Sequence, residues 1–234
     1  EEKVSTETLE NLLFYVVIST LLGARLGHVF FYDWAYYQNH LLEILLPIAS
    51  TADGGYSFVG FRGLASHGAM LGLLASYWLL SRRTSPSMWW FLDKAALVAA
   101  LCLACIRMGN FMNGEIVGAP TDVSWAIIFP AVDMLPRHPV QLYGFVLYLS
   151  LFIFIFYYYK RHQSRLADGY LFGLFLVLLG TLRFGMEFLK RHYVFADESL
   201  LNMAQYLSLP MILAGFIIIV QQRSKPKENA FKPR

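Results

Sequence analysis

The residues RMGNFMNGEIVG, 107–118, follow directly on the apolar run AALVAALCLACI and place Arg107, Asn110, Asn113 and Glu115 within nine positions. Ionisable groups inside apolar spans cost about 2.5–3.5 kcal/mol each by insertion scales, so they mark a functional site by default. Such groups recur as Arg25 in GARLG, His67 in GLASHGAMLG, and Arg183 and Glu187 in LRFGMEF. Arg183 and Glu187 are four residues apart, a spacing that allows an internal helix ion pair. That pairing leaves Arg107 without an obvious partner. Two arginines and a histidine opposite too few carboxylates make a positively charged cavity. Phosphate is its natural ligand, because the guanidinium fork matches phosphate oxygens in bidentate geometry.

The other groups carry alternatives. His67 reads either as a hydrogen-bonded core histidine or as a proton-transfer group, with Ser66 and Gly68 leaving room around its ring. Arg25 reads either as a snorkelling or carboxylate-paired residue, with Asp53 a possible partner, or as a lipid-binding one. Gly109, Gly114 and Gly118 predict a tight, irregular backbone packed against protein or ligand. If the preceding helix continued instead, Arg107 and Asn110 would share a face.

Apolar helices must position these groups. Of 234 residues, 57% are hydrophobic and 15% charged, well under the roughly 25% charge of a soluble domain. The expected fold is an all-α, polytopic membrane helical bundle. Six runs approach the ~20 residues needed to cross a bilayer: 12–31, 64–80, 91–106, 140–159, 170–189 and 203–220. Residues 1–222 then form a single transmembrane catalytic domain, and 223–234 a basic, disordered tail. The acidic start EEKVSTETLE lacks the basic flank and cleavage site of a signal peptide, so the first helix is expected to remain.

Ten of the 19 basic residues follow the second, fourth and sixth spans: Arg82, Arg83, Lys160, Arg161, Arg165, Arg223, Lys225, Lys227, Lys232 and Arg234. The positive-inside rule puts that side, and the C-terminus, in the cytoplasm. Segments 32–63, 107–139 and 190–202 then face outward, the first two as long loops. Cys102 and Cys105 sit inside an apolar helical run with no second pair, so they read as small buried hydrophobes rather than zinc or redox ligands. Three pairs, Gly23 with Gly27, Gly68 with Gly72 and Gly169 with Gly173, predict close helix packing in lipid.

The ordered set GARLGHVFFY, DGGYSF, GLASHGAMLG, RMGNFMNGEIVG, RHPVQLY, LRFGMEFLKR and LNMAQYLSLPM resembles bacterial prolipoprotein diacylglyceryl transferase over residues 11–215. The resemblance implies a seven-helix fold, with one N-terminal span and its tyrosine absent here, and a site opening to the outer leaflet of the inner membrane. It also implies transfer of a diacylglyceryl group from phosphatidylglycerol to the thiol of a lipobox cysteine in a prolipoprotein signal peptide. His67, Arg107 and Arg183 match the family's histidine and two arginines, and Asn110 and Gly118 match further functional positions. Asn113, Glu115, Arg25 and Glu187 complete the expected substrate-binding set. Neither metal, cofactor nor nucleic acid is expected. The sequence departs from the family at Ala119 and Gly144, where arginine and glutamate are usual, at Leu179, and in the ASHGA form around His67.

Buried charge also marks ion and solute paths, so a transporter or channel for an anionic solute or lipid is the rival of another class. Its repeated halves with discontinuous helices are not visible in the sequence.

Overall fold

The computed structural model describes residues 4–51, 54–60, 63–84, 86–162, 165–190 and 201–225. Their contacts divide into two units, one running to Met88 and the other starting at Trp89. The first holds α1 (Thr6–Phe31), short helices α2 (Trp34–Tyr37) and α3 (Leu42–Leu45), strands β1 (Ile48–Ser50) and β2 (Tyr56–Phe58), and α4 (Ser66–Arg83). The second holds α5 (Met88–Met112), strands β3 (Ile127–Ile128) and β4 (Pro136–Arg137), α6 (Val140–His162), α7 (Tyr170–Met186) continued by a 3-10 turn at Glu187–Leu189, and α8 (Met203–Arg223).

A helix stands at each of the six expected positions. Five, counting α7 with its 3-10 turn, are long and apolar enough to cross a membrane; α4 is not among them. Their outward faces carry Leu13 and Phe14 on α1, Val98 on α5, Ile153 on α6 and Phe216 on α8. Apolar surface on this scale belongs in lipid, where a helix satisfies its own backbone groups. The chain is thus a multi-pass helical membrane protein. Two short antiparallel hairpins, β1–β2 and β3–β4, stand beside the helices. They lie in the segments expected to be loops, where a hairpin pairs backbone groups that no helix satisfies. Segment 191–200 and the tail from 226 lie outside the described residues.

In the first unit the expected glycine pairs form one seam. A Cβ on Gly23 would stand 2.9 Å from the Gly72 Cα, one on Gly27 2.7 Å from the Gly68 Cα, and one on Gly68 would overlap the Gly23 carbonyl. The α1 and α4 backbones therefore touch, which only glycine permits. The arm between them is tied to α1 by Arg25, 6% exposed. Its Nε donates to the Ile44 carbonyl at 2.9 Å, its NH2 to the Glu43 carbonyl at 2.5 Å, and its guanidinium lies 4.7 Å over Tyr37. The Glu43 carboxylate accepts from the Ser50 amide and hydroxyl, at 2.8 and 2.5 Å, and from the Tyr36 hydroxyl at 2.8 Å. The Ser50 hydroxyl bond leads in holding the Glu43 carboxyl below its ordinary pKa, with help from Tyr36 and the Ser50 amide, against the opposing cost of burial.

The second unit is packed around Ala96, Ala100 and Ala104 of α5, Tyr148, Leu151 and Ile155 of α6, and Leu171, Phe175 and Leu179 of α7. Small residues repeating every fourth position make α5 a smooth ridge for its neighbours. The third glycine pair does not act as a pair. Gly169 is the left-handed residue preceding α7, φ +92°, whereas Gly173 meets Gly215 of α8. Asp93, in the first turns of α5, accepts from the Gly169 amide at 2.8 Å and the Phe172 amide at 2.7 Å. A carboxylate from one helix thus caps the start of another, where unsatisfied amides and the positive dipole end favour it. Cys102 and Cys105 are exposed on α5 rather than buried. A thiol behaves as a small hydrophobe, so lipid contact on a membrane-spanning helix suits it, and no group of three metal-ligating side chains occurs among the described residues.

Replacing Asp93 with alanine leaves two helix-start amides unpaired. Thermal unfolding in detergent should register a loss of about 1–3 kcal/mol. The Glu43 network has a defined pH sense: a carboxyl with lowered folded-state pKa stabilises above its unfolded pKa and loses that contribution as pH falls through its folded pKa. Exchange protection of the Ser50 amide should therefore fall on acidification below the ordinary glutamate range, and be weak and pH-independent in Glu43→Ala.

Candidate active site

Helix α5 continues through Met112, so Arg107 and Asn110 lie on one helical face and Gly109 is helical. The irregular backbone expected from Gly109 onward begins only at Asn113. Its start is a Schellman turn: the Gly114 amide donates to the Phe111 carbonyl at 3.1 Å, the Glu115 amide to the Asn110 carbonyl at 3.0 Å, and Gly114 is left-handed at φ +68°. Two residues on, Ile116 has φ +54°. A β-branched residue in that region is strained by about 1–3 kcal/mol, a cost concentrated at functional segments.

The chain then pairs with the approach to α6. The Gly118 amide donates to the His138 carbonyl at 3.1 Å, and the His138 amide returns a bond to the Ala119 carbonyl at 3.0 Å. A Cβ on Gly118 would overlap the His138 carbonyl, so this glycine is required by backbone approaching backbone. Arg137, 1% exposed, gives NH1 to the Gly118 carbonyl at 2.9 Å and Nε and NH2 to Asp133 at 3.0 and 2.5 Å. The Ala119 amide donates to the Leu189 carbonyl at 3.1 Å, fastening the segment to the end of α7.

One face of α6 receives the Arg107 side chain. Its Cγ and Cδ lie where a Cβ on Gly144 would come within 3.0 Å, and its guanidinium sits 5.8 Å over the Tyr148 ring. Met186 of α7 meets the same glycine at 3.0 Å. Above it, wholly buried Gln141 donates from Nε2 to the Glu115 carbonyl at 2.8 Å, and Asn113 Nδ2 donates to Glu115 Oε1 at 2.7 Å. Asn110 Oδ1 and Gln141 Oε1 are buried without hydrogen-bond partners among the described residues. Trp125 Nε1 donates to the Tyr143 hydroxyl at 2.7 Å, and His138 Nδ1 lies 3.1 Å from that hydroxyl.

On α7 the expected Arg183–Glu187 pair is not formed. Buried Glu187 accepts from Lys190 on one oxygen and from Asn202 Nδ2, at 3.2 Å, on the other. Asn202 is fixed in turn by a capping box with Gln205 at the start of α8. Arg183 is exposed, and among the described residues neither Arg183 nor Arg107 has a carboxylate within 4 Å. Positive charge in excess of acidic partners is therefore present on α5 and α7.

His67 belongs to the first unit. It is the second residue of α4, exposed, and next to Gly68 of the backbone seam, so the tightest helix contact in that unit sets its place. Arg25 has its guanidinium committed to the arm, as described above.

Sequence reasoning missed Arg137, Gln141 and the Asp93 cap as organising groups. RHPVQLY drew notice only as part of a resemblance. A polar glutamine opening an otherwise apolar helix was the available signal for Gln141.

The profile described as prolipoprotein diacylglyceryl transferase matches residues 1–221. Phosphatidylglycerol–prolipoprotein diacylglyceryl transferase of Bacteroides fragilis is 44% identical over 92% of this chain and 78% of its own length. Proteins of the same name from Chloroherpeton thalassium and Tolumonas auensis are 40% and 38% identical, each over 94% of this chain and over 78% and 81% of their own lengths. With the arginine-bearing α5 terminus, its Schellman turn and the clamped loop inside the matched region, the chain belongs to the prolipoprotein diacylglyceryl transferase family.

Proposed function

We propose that this protein transfers the diacylglyceryl group of phosphatidylglycerol to the lipobox cysteine of prolipoproteins. The observation that carries the reading is the Arg107 guanidinium, seated on Gly144 and Tyr148 with no carboxylate among the described residues to neutralise it. A phosphodiester supplies the missing negative charge, and Arg107 and Arg183 are its proposed ligands. Asn110 and Asn113 add neutral contacts, while Gly118, Glu115 and Glu187 hold the surrounding wall.

The substrate's sulfur attacks the glyceryl carbon bearing the phosphate. A carbon–sulfur bond forms, the carbon–oxygen bond breaks, and glycerol phosphate leaves with the bonding pair. The thiol proton must go to a base, because the thiolate is the nucleophile; His67 is assigned that role. The arginines meet the charge that grows on the leaving phosphate. Arg25 acts here through the arm it ties down. Residues 1–222 are read as one transmembrane catalytic domain.

The proposed setting is the bacterial inner membrane, with the chemistry in the outer leaflet and the C-terminus in the cytoplasm. Basic last turns of α4, α6 and α8 support this orientation. Helix α4 is counted as the sixth crossing: its 18 residues span about 27 Å against a core of about 30 Å.

Lipidation of a lipobox peptide with phosphatidylglycerol vesicles tests the roles. Arg107→Lys keeps the charge but loses the fork, and should lower kcat/KM about 10- to 100-fold; His67→Asn should lower it about 10²- to 10⁴-fold. Near-normal turnover in both would sink the assignment. Gly144→Ala pushes a methyl against the Arg107 stem; it should reduce kcat about 10- to 100-fold while the thermal midpoint moves little.

A further inference from the structure

Gln141 opens the face of α6 that continues through Gly144 and Tyr148 beneath Arg107. Its side chain is wholly buried and its orientation is fixed. The Glu115 carbonyl can only accept, so the amide nitrogen must point to it, at 2.8 Å, and the amide oxygen must point away. Among the described residues that oxygen has no partner, and neither has the Asn110 side-chain oxygen. The two residues share one hydrogen-bonded chain, because the Glu115 amide donates to the Asn110 carbonyl while the Glu115 carbonyl accepts from Gln141. Two buried acceptors left unsatisfied by the described residues on one hydrogen-bonded chain is an uncommon expense, and a fixed pattern of this kind calls for a donor-bearing ligand.

The charge nearby narrows the donor. A phosphate diester offers oxygens without hydrogens, so it satisfies Arg107 but neither amide oxygen. An ammonium group would donate, but the Arg107 guanidinium on the same helix face repels it. A neutral hydroxyl attached to an anionic phosphodiester satisfies both demands. We infer that Gln141, with Asn110, recognises the hydroxyls of a polyol headgroup and thereby sets the donor-lipid preference of the enzyme.

The inference rests on the transferase reading, and two donors separate them. Phosphatidylglycerol and phosphatidylpropanol carry the same charge and the same three-carbon headgroup, and differ by the hydroxyls. The wild-type protein should use phosphatidylglycerol about tenfold better in kcat/KM, and in Gln141→Met the ratio should collapse toward one. A loss of purely structural origin lowers both rates together and leaves the ratio unchanged, which would overturn the inference. So would a wild-type protein that uses both lipids equally, a comparison that needs no variant. If the wild type lipidates no peptide with either donor, the transferase reading fails, and native mass spectrometry of the two lipids retained by wild type then decides: preferential retention of phosphatidylglycerol upholds hydroxyl recognition, equal retention refutes it.

Discussion

The paired backbone of Gly118 and His138, locked by the buried Arg137 guanidinium, is the contact on which the end of the second unit between α5 and α6 depends. A chain leaving a membrane helix exposes amides and carbonyls that lipid cannot satisfy. Here the Schellman turn closes α5, Gln141 takes the Glu115 carbonyl, and the α7 end takes the Ala119 amide. Arg137 is neutralised by Asp133, so its charge serves the scaffold alone. Arg107 has no such carboxylate among the described residues. Two arginines of the same segment pair are thus divided by their neighbours, one into architecture and one into a charge still to be met.

The unmet charge is tolerable because of where its stem lies. Gly144 provides the volume, and the Tyr148 ring offers the negative face of an aromatic to a cation that is poorly hydrated for its charge. With no side chain at position 144, the stem lies close against α6 and the guanidinium's field is left for a ligand.

The long helices were legible because apolar runs of membrane length leave few other options. The glycine seam was legible as two separate pairs, but only folding shows that each is the other's partner. Gly114 was read as a mark of irregularity and closes the turn that follows α5, where the irregular backbone begins four positions later than expected. The Arg183–Glu187 spacing misled because helix neighbours compete: Lys190 and Asn202 reach the same carboxylate. Asp93 stayed hidden because its two amides lie 76 and 79 residues away in sequence, beyond any local periodicity. Gln141 was hidden likewise, since its partner is 26 residues earlier on an irregular stretch.

The seam between α1 and α4 has a further consequence for traffic. With Gly27 and Gly68 lacking room even for a methyl, no hydrocarbon tail can slip sideways between those two helices. A lipid tail moving beside this unit has to pass around the α1–α4 pair at that level and not through its glycine seam.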